Sequence, residues 1–143
     1  VKWTRAVHHL TELAEKCAER ADLPESIRGL PVAELWATGD ILGEPRELDW
    51  IHVVLAVDIP PDEVPWLTQP EGAEHWAHAA RLRNPISALW RSANAPVWNH
   101  HIDRPALVWS AAGGVNEETL AALRDGKGEQ VRIAAPSASD LRK

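Results

Sequence analysis

The sequence contains no phenylalanine, no tyrosine and no methionine, and a single cysteine among its 143 residues. A lone Cys17 excludes an intramolecular disulfide and any zinc site built on paired cysteines. It leaves a reducing cytoplasm as the default compartment. No apolar run approaches the roughly 18 residues that a membrane-spanning helix needs. Residues 1–20 also lack the uninterrupted apolar stretch of a secretory leader. Basic residues are outnumbered, 15 against 21 acidic ones, for a formal charge of −6. That balance works against a sequence-independent grip on nucleic acid, which needs a basic surface. The expected partner is a small ligand or another protein, with no membrane involved.

Tryptophan is what the chain has in abundance. Trp3, Trp36, Trp50, Trp66, Trp76, Trp90, Trp98 and Trp109 are spread over its whole length. Each buries roughly 150–250 Å² when packed, so together they can supply much of a core that has no other aromatic residue. With 45% apolar and 25% charged residues, the composition is that of one globular domain. We expect it to span residues 1–135, with a tail at 136–143. No internal repeat or domain-scale linker interrupts it.

The apolar spacing predicts an amphipathic helix over residues 3–21, where Trp3, Val7, Leu10, Ala14, Cys17 and Ala21 recur at alternating steps of four and three. Residues 33–38 predict a short strand that ends at the Gly39-Asp40 turn. Residues 49–58 predict the main strand, and the run Val53 to Val57 predicts burial on both of its faces. A helix is expected over 72–83, a further helical turn or two over 86–93, and a strand over 105–111. Asn116 should cap a short helix through Leu123, and 130–134 reads as an edge strand. These elements predict an α/β (α+β) domain, with a small mixed sheet flanked by helices.

Chemistry concentrates between residues 35 and 50. A strand ends at Gly39-Asp40, Gly43 follows, and Asp49 opens the next strand. Glycine at such a turn lets backbone amides approach an anion. Two carboxylates at i and i+2 of a strand point to one face and can hold Mg²⁺ against phosphates. This segment resembles the signature of the polymerase-beta-like nucleotidyltransferases. The resemblance implies a nucleotidyltransferase-like fold, with Gly39 and Gly43 as its glycines and Asp49 as its first metal carboxylate. Mg²⁺ would be the cofactor only if that site were active. Asp40 stands where the family has serine, and its charge repels phosphate. Ile51 stands where the second carboxylate belongs. The strand expected at 105–111 has no acidic residue, and Asp58 lies roughly 30 Å along the strand from Asp49. The pattern implies the fold with a degenerate active site, acting by binding. The chain is also similar to an actinobacterial family without assigned activity, through Lys2 to Leu10, Gly39-Asp40 and Pro96 to His100.

Other residues open two alternatives. Trp98, Asn99 and His100 precede the third strand in an irregular stretch, where a ring could stack on a ligand and polar groups could bond it. The competing reading is a buried tryptophan with polar neighbours that hold the loop. His75 and His78, with His100, His101 and Asp103, could form a mixed metal site and support an active enzyme of unusual type. Their spacing matches no zinc motif, and solvated histidines are the plainer reading. Arg81, Arg83, Arg91 and Arg104 could gather at a cleft around an anion, or lie on a solvated face. Cys17 lies on the apolar stripe of its helix, as a packing residue would. A third possibility is an interaction module, such as a toxin–antitoxin or assembly partner, which several exposed tryptophans in one patch would favour.

Overall fold

The computed structural model describes residues 1–65, 68–95, 102 and 104–133. Helix α1 (Trp3–Ala21) leads through the single-turn α2 (Glu25–Arg28) into strand β1 (Val32–Thr38). A 3-10 turn at Gly39–Leu42 and a loop then connect to β2 (Ile51–Val57). Helix α3 (Ala73–Ala79) crosses over to β3 (Ile86–Ser92). Strands β4 (Ala106–Ser110) and β5 (Gly114–Val115) precede α4 (Glu117–Arg124). The five strands form one sheet in the order β3-β2-β1-β4-β5. Only β2 and β3 run parallel, so the sheet is mixed.

Helix α1 has the predicted bounds; Trp3, Val7, Leu10, Ala14 and Cys17 of the predicted stripe are buried, joined by Ala6 and Leu13, while Ala21 is only partly buried. That stripe packs over β1 and β4 beside α4. The Trp3 indole Nε1 donates to the Leu123 carbonyl at 2.8 Å. One bond thus satisfies both a buried indole and a carbonyl of the last turn of α4. Asn116 caps α4 as expected, its side chain accepting from the Thr119 amide at 3.1 Å.

Strand β2 lies between β1 and β3, and Val53 to Val57 are all buried. Leu35, Ile51, Val53 and Leu55 join the helix-covered core. Trp36, Val54 and Ile102 form a second cluster. Burial on both faces is why this stretch reads as a continuous apolar run rather than an alternating one.

Three expectations are overturned. The strand expected over 49–58 spans Ile51–Val57, so Asp49 lies in the loop before it and does not open it. Residues 86–93 are not helical: Ile86–Ser92 is an edge strand, paired with β2 from Ile51↔Ile86 to Val57↔Ser92. The Ile51 amide donates to the Pro85 carbonyl, and the Ala93 amide donates to the Val57 carbonyl. These bonds close both ends of the ladder. Non-local pairing outweighs the helix propensity of Ala88 and Leu89. The edge strand expected at 130–134 is instead a 3-10 turn at Gly128–Val131, followed by one bridge between Arg132 and Ala106. The tail expected at 136–143 lies outside the described residues.

Candidate functional site

The turn after β1 is shaped by what it buries. Ile41 and Leu42 point into the core, which leaves Gly39, Asp40 and Gly43 on the outer side. Gly39 has φ +78°, a left-handed conformation that glycine adopts without steric cost. The Gly43 amide closes the turn on the Asp40 carbonyl at 3.0 Å. Thr38 pairs with His52 across the sheet, and a Cβ placed on Gly39 would stand 3.6 Å from His52 Cδ2. The imidazole therefore flanks the glycine turn.

The returning loop is anchored just before Asp49. Leu48 is buried, and its amide donates to the Val1 carbonyl at 2.8 Å. Asp49 and Trp50 then emerge into solvent, with Trp50 45% exposed. Ile51 turns inward and is fully buried. Arg46, on the same loop, places Nη2 2.5 Å from Asp40 Oδ2.

Two open grooves meet at this ion pair. One, of about 470 Å³, is lined by Thr38, Gly39, Asp40, Gly43, Glu44, Arg46 and Arg132. The other, of about 440 Å³, is lined by Asp40, Arg46, Glu47, Leu48, Asp49, Trp50 and His52. The structure thus brings Gly39, Asp40, Gly43 and Asp49 to one surface. Trp98, Asn99 and His100 fall outside the described residues, as do His101 and Asp103.

The site also has members that the sequence did not reveal. Arg46 is an unremarkable loop residue until it folds back on Asp40. Arg132 arrives from the far end of the chain, carried by the turn at Gly128–Val131. That turn packs closely under the site, because a Cβ on Gly128 would lie 2.7 Å from Leu42 Cα and O. No local pattern marks such a long-range approach.

Other candidates lie away from these grooves. Arg81, Arg83, Arg91 and Arg104 line neither groove. Arg91 instead donates to the Ala95 carbonyl and Arg104 to the Ile133 carbonyl. His75 and His78 are exposed on α3. Among the described residues, no three His, Cys, Asp or Glu side chains converge as a metal-ligand set. Cys17 is buried, and that burial raises its thiol well above the ordinary range, which opposes thiolate chemistry. No helix among the described residues is long and apolar enough to cross a membrane.

Compared with known proteins, the chain matches the family model described as a domain of unknown function (DUF7711) over residues 1–143. No curated protein and no solved structure matches it.

Proposed function

We propose that this chain, which belongs to the DUF7711 family, is a nucleotidyltransferase-like domain that has lost catalysis and acts by binding a small ligand where β1 turns toward β2. The observation that carries this reading is the fate of residue 51. Nucleotidyl transfer needs two carboxylates on one strand face to hold Mg²⁺ against the phosphates. A strand running on from Asp49 would put positions 49 and 51 on one side, but β2 begins only at Ile51, and Asp49 stands exposed in the loop before it. Position 51 is an isoleucine, and it is fully buried. Asp49 is left as a single carboxylate, and Asp40 is engaged by Arg46. These residues do not fit catalytic Mg²⁺, and no chemical step is assigned to them.

Binding needs less. The glycine turn and the two adjoining grooves remain, with Trp50 as an exposed ring beside them. A ribonucleoside triphosphate is the probe that the resemblance supplies. In a titration followed by backbone amide NMR, shifts confined to Gly39–Gly43 and Asp49–His52 support the reading. No saturable shift, or shifts centred elsewhere, would count against it.

An interaction module has weaker support. Of the six tryptophans in the described residues, only Trp50 is exposed, whereas Trp3, Trp36, Trp76, Trp90 and Trp109 are buried. One exposed ring does not make the apolar patch that such a module would present. Placement in the cytoplasm rests on the cysteine usage, a single thiol that is packed into the core.

A further inference from the structure

A third groove, of about 180 Å³, lies between α1 and the turn that joins α3 to β3, away from the site above. At about 30 Å³ per water, it holds the equivalent of roughly six water molecules. That is the scale of a small molecule such as a free amino acid. Leu13 and Ala80 on its surface are buried, and Ile86 is partly buried, so the groove has an apolar base.

Its two walls carry opposite charge. Helix α1 contributes Glu12, Glu15 and Glu19 together with Lys16 and His9, a net acidic wall, and the turn contributes Arg81 and Arg83. Glu12 is paired with His8, and Glu19 with Lys16. Among the described residues, the side chains of Glu15, Arg81 and Arg83 make no hydrogen bond or ion pair. Arg81 is held in place by the end of α3: it takes φ +58° as the left-handed residue after the cap, its amide donating to the His78 carbonyl at 3.2 Å and the Leu82 amide to the Ala77 carbonyl at 2.8 Å.

We propose that this groove binds a small zwitterion of the amino-acid class, with its carboxylate on Arg81 and Arg83, its ammonium on Glu15, and its apolar part on Leu13 and Ala80. A simple anion would meet the unpaired Glu15 on the facing wall, and a simple cation would meet two guanidiniums and the Lys16 ammonium. A molecule with both charges satisfies both walls. Guanidinium is suited to carboxylate because its planar fork can donate two parallel hydrogen bonds. His9 lies on the same wall as Glu12, with Arg5 and Arg83 nearby, and serves as an internal reporter.

The test is calorimetric titration of the full chain at low salt with each protein amino acid in turn. The best binder is then compared with its deaminated and decarboxylated analogues; for leucine these are 4-methylpentanoate and 3-methylbutylamine. The expected result is saturable binding of an amino acid that both analogues lose. The variants Arg83→Gln and Glu15→Gln, at exposed positions, should each weaken binding roughly tenfold or more, the scale of one charge-assisted hydrogen bond. Binding should also move the His9 imidazole resonances in both folded variants and wild type at saturation. The proposal is overturned if no amino acid binds, if either analogue binds as well as its parent, or if neither variant changes the affinity. Gly39→Asn, which alters the other site, should leave this affinity unchanged, so the two proposals can fail separately.

Discussion

Trp90 on β3 meets Trp76 on α3 edge to face, with ring centroids 5.9 Å apart and planes at 86°. The contact fastens the crossover helix to the strand that it delivers. Both rings are buried, Trp76 almost completely. Trp76→Ala should destabilise the protein by about 3–5 kcal/mol, and Trp90→Ala by a similar amount. The double variant should fall short of the sum by about 0.5–1.5 kcal/mol, the size of an aromatic pair term. Urea unfolding of the four proteins measures this, and strict additivity would contradict a direct coupling.

Two glycines in the site region should respond to alanine for different reasons. At Gly39 the space is adequate, but φ is +78°, so the cost is that of left-handed backbone, about 1–2 kcal/mol. Gly39→Asn should cost less, since asparagine tolerates that region better. At Gly128 a Cβ would press on Leu42 backbone atoms at 2.7 Å, and neither side can yield without moving the turn. Gly128→Ala should therefore be the more destabilising of the two alanine variants. The reverse order in chemical denaturation would show that Gly128–Val131 is not packed against the turn.

The Asp40–Arg46 pair separates stability from binding. Both side chains are more than half exposed, and exposed pairs contribute about 0–1 kcal/mol. Asp40→Asn should leave the unfolding midpoint almost unchanged. It removes the carboxylate that repels phosphate and releases Arg46, so a triphosphate should bind more tightly than to wild type. The gain should shrink as salt is raised. Unchanged affinity at low salt would mean that the anion does not approach this pair.

His9 is held below its ordinary value of 6.5, first by burial and then by Arg5. Its charged form is less favoured in the folded state, so the unfolded chain takes up the proton at higher pH. The resulting stability is present above about 6.5 and is lost as pH falls through the lower folded value. Comparing urea midpoints of wild type and His9→Gln across that window isolates the effect. The wild type should lose more stability on acidification than the variant does, and parallel profiles would contradict the assignment.

Legibility in the sequence followed the range of the interactions. Helix α1 was readable to the residue because its stripe of Trp3, Val7, Leu10, Ala14 and Cys17 is a local periodic signal. Asn116 was readable because a cap bonds within its own first turn. Ile86–Ser92 was misread because Ala88, Leu89 and Trp90 suit either period, and the parallel partner that decides between them is more than thirty residues away. The glycine turn and Asp49 were visible as a motif. Arg46 and Arg132 were not, because the fold alone brings them to Asp40 and Gly43.

On the proposal above, Ile51 in place of a second carboxylate leaves Asp49 unable to support catalysis. The most direct test is incubation of the purified protein with nucleoside triphosphates labelled at the α-phosphate, with Mg²⁺ or Mn²⁺ and protein, RNA and small-molecule acceptors. The account predicts neither label transfer nor pyrophosphate release above a protein-free blank. Metal-dependent transfer that disappears in Asp49→Ala, with the fold intact by circular dichroism, would contradict it.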